Sequence, residues 1–254
     1  MNINNNCHQK TNLPKAFRIQ KITRQNSRTI SLFLEGSISA DPGQFVMAWL
    51  PDIGEKPFSI SGINPLRLTI VNVGPFSQAI HSLGIGDRLW IRGPLGHGFH
   101  VESGKKVVMA GGGYGAAPLL FLGKELVNSG CDCSCWLGAH SSDDIILADE
   151  MQQAGIDVNI TTEDGSLGIK GLVTAGLKKT LAQDPITMVY ACGPARMLQA
   201  VAAVCKAQMV PCQLSWEALM RCGMGLCGSC ELEAEFGEPA GWLVCMDGPI
   251  SHRT

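Results

Sequence analysis

Four cysteines near the end of the chain, Cys222, Cys227, Cys230 and Cys245, are spaced C-x4-C-x2-C with the fourth fifteen residues further on. Clustered thiolates are soft ligands that select iron–sulfur clusters or zinc. The x4, x2 spacing followed by a distant fourth cysteine matches the plant-type [2Fe–2S] pattern. Gly223, Gly225, Gly228 and Ser229 stand between the ligands. Small residues there let the loop wrap closely and turn backbone N–H groups toward the sulfurs, which tunes a cluster's reduction potential. The competing reading is a structural zinc held by four cysteines. Such sites favour two tight C-x2-C knuckles, and only one is present. The segment is too short to build a ferredoxin of its own, so the cluster is expected to lie on the rest of the chain or against a partner.

The chain has eleven cysteines, and the other seven read differently. Cys131, Cys133 and Cys135 alternate along one strand and share a face, as core residues do. Cys7, Cys205 and Cys212 carry no pattern. Residues 1–14, MNINNNCHQKTNLP, are polar, lack an apolar run, and read as a flexible leader and not as a secretory signal. With no disulfide framework, a reducing cytoplasm is the expected setting.

A second constellation lies mid-chain. In VVMAGGGYGAAPL, Gly111, Gly112, Gly113 and Gly115 sit between a strand and a helix. Glycines there let backbone N–H groups and the helix start approach a pyrophosphate, although the run is not a clean G-x-G-x-x-G. Cys192 and Gly193, in YACGPARM, follow a later strand and are expected to face the same crevice, because ligands bind at the carboxyl ends of open α/β sheets. Earlier, Lys56 and Ser59 in EKPFSIS and Ser77 at a helix start offer a cation and hydroxyls suited to a flavin diphosphate. A solvated lysine and an ordinary helix cap are the plainer readings of the same residues.

The elements that position these residues fall into three zones. Across residues 15–103, short alternating stretches broken by Gly, Pro, Asn and Asp read as strands of an antiparallel barrel, with FSQAIHSL the one helix. Across 104–212, four strand–helix alternations imply a doubly wound parallel sheet, including a helix over DDIILADEMQQAG. Residues 213–254 follow neither pattern and hold the cluster cysteines. The whole is an α+β multidomain architecture. Apolar residues are 45% and charged residues 17%, a globular balance. A net charge of −2 without a basic block excludes nucleic acid as the expected partner. The run VVMAGGGYGAAPLLFLG is long enough to raise a membrane helix, but its glycines fit a strand–turn–helix, so no membrane is expected.

KPFS, GGGYGAAPL and YACGP together resemble the ferredoxin–NADP reductase superfamily. With CGMGLCGSC…VCMDGP, the chain resembles the electron-transfer subunits of NAD-linked, two-component dihydroorotate dehydrogenases over about residues 15–250. PGQFVMAWLP, TTEDGSLGIKGLVT and the closing DGPI add to the likeness. The resemblance implies FAD on the barrel, NAD(H) on the α/β unit and a [2Fe–2S] cluster in the tail. It places flavin contacts at Lys56, Pro57, Phe58, Ser59, Val71, Asn72, Val73 and Ser77, and NAD contacts at Gly112, Gly113, Gly115, Cys192 and Gly193. Lys56 stands where that family usually has Arg, which removes a planar fork for a phosphate or flavin oxygen.

The implied partner is an FMN-containing dihydroorotate dehydrogenase catalytic subunit, two of each forming a heterotetramer, in pyrimidine biosynthesis. No catalytic acid or base for dihydroorotate is expected in this chain. The small subunits of flavin-based transhydrogenases and sulfide dehydrogenases share the layout, but one of their cluster positions is often Asp. A zinc-stapled nucleotide-binding module is the reading from another class. Glu163 and Asp164 follow a strand, where they can repel a 2′-phosphate or cap a turn.

Overall fold

The computed structural model describes residues 13–253; most of the expected leader, with Cys7, lies outside them. The first zone is a closed six-stranded barrel. Its strands are β1 (Lys15–Arg24), β2 (Thr29–Leu34), β3 (Phe45–Leu50), β4 (Gly54–Ile63), β5 (Leu66–Val71) and β6 (Arg88–Leu95), in the order β1-β2-β5-β4-β3-β6. Alternation fills the interior with Ile30, Leu32 and Leu34 from β2 and Leu66, Leu68 and Ile70 from β5, all buried. Helix α1 (Pro75–His81) follows β5.

Strand β4 carries Pro57, which cannot donate to a ladder. The topology explains its tolerance. β4 pairs with β3 over residues 54–59, whereas its ladder with β5 begins only at Ile60↔Leu68. Pro57 therefore sits where β4 is paired on one side alone. Beyond that point β4 and β5 splay, and residues 56–59 face residues 69–71 across an unpaired slot in the barrel wall.

The second zone is a seven-stranded sheet. Its strands are β7 (Lys106–Gly112), β8 (Asp132–Ala139), β9 (Asp157–Thr162), β10 (Ile169–Lys170), β11 (Met188–Cys192), β12 (Cys212–Ser215) and β13 (Ile250–Arg253), in the order β10-β9-β8-β7-β11-β12-β13. All pairs are parallel except β12 with β13. Helices α2 (Ala116–Asn128), α3 (Ala148–Gln153), α4 (Val173–Gln183) and α5 (Ala195–Gln208) cover it. The apolar run from Val107 divides into β7, a single 3-10 turn and α2, and no helix among the described residues is long and apolar enough to cross a membrane. Cys131, Cys133 and Cys135 are buried in the core.

Two expectations shift. The helix over DDIILADEMQQAG is only the six residues of α3, because Leu147 takes a left-handed φ of 64° and stops it from reaching back. The segment before it is used elsewhere. Asn26 Nδ2 donates to the Asp143 carbonyl at 2.9 Å, and Arg28 pairs with Asp144 at 3.3 Å. The last zone, expected to follow neither pattern, has both its ends in the sheet. Its first residues, to Ser215, continue β12, and its last belong to β13, so the cysteine segment is a long excursion from one sheet edge. Both strands are four residues long and gave no periodicity to read.

Barrel and sheet are fastened together. Arg67 of β5 is buried and makes a two-pronged ion pair with Glu150 of α3, with Nη2 to Oε1 at 2.9 Å. Arg67 Nη2 also donates to Ser31 Oγ, which is 2.9 Å from Thr69 Oγ1. These polar residues alternate with the barrel's apolar ones, and their face meets the second domain instead of water. The Arg67 guanidinium holds the Glu150 carboxyl below its ordinary pKa. The pair therefore stabilises the docked domains above the ordinary carboxylate range and loses that contribution as pH falls through the lowered value.

Candidate redox site

The slot between β4 and β5 opens into a cavity of about 280 Å³. Pro57, Phe58, Ser59, Val71 and Val73, five of the eight positions at which the resemblance put flavin contacts, line it. Lys56 is exposed and lies outside the lining, as do Asn72 and Ser77. Ser77 is occupied locally. Its Oγ accepts from the N–H groups of Val73 at 2.9 Å and Gly74 at 3.0 Å and donates to the Gly74 carbonyl. That closes the turn into α1 and shapes the cavity rim without aiming a hydroxyl into it.

A second cavity, of about 480 Å³, lies over the carboxyl ends of the parallel strands. Gly112 and Gly113 line it, with His140, Glu163 and Met197. Gly113 has a left-handed φ of 53°, and a Cβ there would meet nothing within 4 Å, so its backbone is open to a ligand. Gly115, Cys192 and Gly193 are not in the lining. They are packed behind it: a Cβ on Gly115 would fall 2.1 Å from the Cys192 carbonyl oxygen, and one on Gly193 3.0 Å from the Gly112 nitrogen. These two glycines allow the two turns to pack back to back, and Cys192 is buried beneath them. Glu163 and Asp164 separate in role. Glu163 lines the cavity, whereas Asp164 accepts from Ser166 N–H at 2.9 Å and Ser166 Oγ at 2.7 Å and caps the turn.

Val71 and Tyr114 belong to both cavities. Tyr114 donates its hydroxyl to Glu217 Oε2 at 2.9 Å, and burial raises the Glu217 carboxyl above its ordinary pKa. Neither residue stood out in the sequence. Their partnership spans over a hundred positions, and only the fold brings it about.

Gly113 yields an expected result. Gly113→Leu places a side chain in open cavity where a dinucleotide's backbone contacts would be, with the KM for NADH raised about tenfold or more, the factor given by about 1.4 kcal/mol. Gly113→Ala carries the same left-handed strain, about 1–2 kcal/mol of stability, with little bulk. Steady-state NADH oxidation with an artificial acceptor separates the two, flavin content being unchanged in both. Equal KM values in Leu and Ala variants would place the dinucleotide elsewhere.

The cysteine excursion starts along the first cavity. Trp216, Glu217, Ala218 and Met220 form its far wall, and Cys222 follows two residues later. Trp216 is anchored by its indole N–H to Ser251 Oγ at 2.7 Å. The loop then shares a core with both domains: Cys230, Val244 and Cys245 pack in one cluster with Phe45 and Met47 of β3 and Leu214 of β12. Gly223, Gly225 and Gly228 all have left-handed φ, between 65° and 77°. A Cβ on Gly223 would lie 3.0 Å from Met47 Cγ, so the loop presses directly on the barrel.

The four cysteines gather in one place: Cys230 and Cys245 have their sulfurs 3.2 Å apart, and Cys222 acts on both Cys227 and Cys245. Each iron of a [2Fe–2S] centre takes two of the four ligands, and the close Cys230–Cys245 pair suits one such iron. Among the described residues no group of three His, Cys, Asp or Glu is drawn in tightly enough for one metal ion. Backbone amides point inward, Met224 N–H to Cys222 Sγ at 3.4 Å and Gly225 N–H to Cys245 Sγ at 3.3 Å. Ser229 lies on Cys227, 3.1 Å from Oγ to Sγ, and is the main cause of a thiol pKa of about 6 there. Burial first, and Cys230 second, push the Cys245 thiol up to about 11. Donor set, pairing and inward amides fit the cluster.

Residues 217–252 match the family model described as the iron–sulfur cluster binding domain of dihydroorotate dehydrogenase B, and residues 109–203 match the oxidoreductase NAD-binding domain. A probable dihydroorotate dehydrogenase B (NAD(+)) electron transfer subunit from Thermococcus kodakarensis is 43% identical, over 84% of this chain and 85% of the relative. The same subunit from Methanopyrus kandleri is 40% identical over 88% and 84%. A solved structure described as an NADH-dependent reduced ferredoxin-NADP oxidoreductase, studied for flavin-based electron bifurcation, superposes with a TM-score of 0.83 at 27% identity, over 93% of this chain and 87% of that one. By its identity to these relatives across most of both lengths, the chain belongs to the family of electron transfer subunits of the NAD(+)-linked dihydroorotate dehydrogenase B.

Proposed function

We propose that this chain carries electrons between NAD(H) bound over Gly112 and Gly113, FAD seated in the β4–β5 slot, and a [2Fe–2S] cluster held by Cys222, Cys227, Cys230 and Cys245. The far end of the route is an FMN-containing dihydroorotate dehydrogenase catalytic subunit, paired with this one as a heterotetramer of two of each, in the cytoplasm. One observation carries the reading. The two cavities meet at Val71 and Tyr114, and the segment from Trp216 to Met220 that also lines the flavin cavity leads two residues on to Cys222.

A flavin accepts two electrons together as hydride and releases them singly, and a [2Fe–2S] cluster carries one at a time. The protein's own part is positioning. Gly112 and Gly113 let backbone come close to the dinucleotide. Tyr114, pinned by Glu217, lines both cavities and would stand between the bound nicotinamide and flavin. Pro57, Phe58 and Ser59 offer an unpaired strand edge to the flavin. The segment from Trp216 to Met220 keeps the flavin cavity and the cluster loop adjacent. Among the described residues none of the ten cysteines is in a disulfide, which supports a reducing compartment.

The likeness to the bifurcating oxidoreductase gives a second reading, in which the partner is a different flavoprotein. The higher identity to the dihydroorotate dehydrogenase B subunits, and cysteine at all four cluster positions, favour the first. The expected result is that the isolated chain oxidises NADH with artificial acceptors and is inert toward dihydroorotate. Added catalytic subunit should confer NAD⁺-dependent dihydroorotate oxidation. Dihydroorotate turnover by the isolated chain, or none with the partner present, would sink this assignment.

A further inference from the structure

Arg92 of β6 is buried to 5% side-chain exposure beneath the cluster loop. Its Nε donates to Glu55 Oε1 at 3.0 Å and its Nη2 to Glu55 Oε2 at 2.9 Å. The same Nη2 donates to the backbone carbonyl of Cys222 at 2.8 Å. Nη1 is buried without a partner. A guanidinium is always charged, and burying unused donors is costly unless something nearby repays it. Met47, the cross-strand neighbour of Arg92, is the side chain on which Gly223 rests. The barrel thus presents one cation, paired with one carboxylate, to the backbone of a proposed cluster ligand.

We propose that Arg92 is a positioning residue that sets the reduction potential of the [2Fe–2S] cluster, with Glu55 as its counterweight. Through its bond to the Cys222 carbonyl it fixes one end of the ligand loop to the flavin barrel. Through its charge it favours the reduced state, since reduction adds one electron to a centre that is already anionic. Net charge, hydrogen bonding and solvent exposure are the levers on such potentials. Glu55 shares Nη2 of the guanidinium with the Cys222 carbonyl and offsets part of that charge. The two members of one ion pair therefore act on the cluster with opposite signs, which simple loss of a salt bridge cannot produce. In the electron route, the pair places the cluster's potential relative to the neighbouring flavin.

The inference rests on the cluster assignment above, and the experiment separates the two. Purified chain carrying its FAD and cluster is titrated with dithionite, the cluster followed by paramagnetic resonance and the flavin by absorption. Arg92→Gln keeps a donor for the Cys222 carbonyl and removes the charge. Its cluster midpoint should fall, by about tenfold in the one-electron equilibrium, or about 59 mV. Glu55→Gln keeps the shape and removes the opposing charge, and its midpoint should rise. Arg92→Lys keeps the charge and should stay near the unchanged protein, which a role in the fork geometry alone would not allow. If Arg92→Gln fails to assemble, Glu55→Gln and Arg92→Lys carry the test. Shifts of the same sign in the two Gln variants, or none with the cluster present, overturn the proposal. Absence of a [2Fe–2S] signal in the unchanged protein would overturn the cluster assignment and this inference with it.

Discussion

Cys245→Ala is expected to purify without its iron–sulfur absorption and with most of its iron gone, while Cys131→Ser keeps both. Unchanged protein should carry about two irons and two acid-labile sulfides per chain, the plant-type stoichiometry. Cys245 is buried, pairs with Cys230 at 3.2 Å and accepts the Gly225 amide. Its burial means that its negative charge is tolerated only with a cation beside it, which iron supplies. Removing it leaves one iron short of a ligand and leaves Cys230 without its partner. Cys131 is also buried, but its Sγ donates to the Glu102 carbonyl at 3.2 Å, a bond a serine hydroxyl can keep. The variant therefore tests whether buried cysteine alone, without the x4, x2 spacing, has any part in the metal. FAD should remain in both, because the slot between β4 and β5 contains none of the four ligands. Stoichiometric zinc without iron in anaerobically prepared protein, or loss of iron in Cys131→Ser, would refute the assignment.

The contrast between those two cysteines also shows what the sequence could and could not reveal. The four candidate cluster cysteines are local, set by spacing within one loop, and their pattern is legible without any fold. So is the glycine turn after β7, because strand, turn and helix are contiguous. Strand β4 was not read from the sequence; its Pro57 is tolerated where β5 diverges, and that divergence is a property of three strands together. The same divergence makes the slot proposed for the flavin. Helix α3 was overread because apolar periodicity continued through Leu147, whose left-handed backbone follows from the docking of Asp143 and Asp144 onto the barrel. Ser77, Gly115 and Gly193 were placed at the right turns but build the walls rather than line the cavities. Tyr114 with Glu217, and Arg92 with Glu55 and Cys222, join residues far apart in sequence, and no short-range pattern signals them.

Leu226→Glu should leave the cluster spectrum and NADH oxidation intact while weakening assembly with the catalytic subunit about 100-fold, the factor for about 2.7 kcal/mol. Leu226 lies one residue before Cys227 and is 80% exposed, although a leucine turned inward onto the barrel would have been equally compatible with the sequence. Leu219 and Met246 are exposed on the same excursion, at 62% and 48%, and Cys227 itself is exposed. Apolar side chains around an exposed ligand have the character of an interface core, depleted of charge. Burying one leucine is worth about 1.5–3 kcal/mol, and a buried unpaired carboxylate turns that gain into a cost. Electron transfer requires short separation, so the surface nearest the cluster is where a partner flavin has to dock. Leu226→Gln separates the contact from the charge: it should weaken assembly less than Glu, with the cluster potential unmoved. Titrating catalytic subunit against each variant by light scattering, with NAD⁺-linked dihydroorotate oxidation followed in parallel, reads both quantities. Activity should return at high partner concentration, since the route through the chain is intact. A Leu226→Glu chain that assembles with undiminished affinity would move the docking face away from the cluster loop.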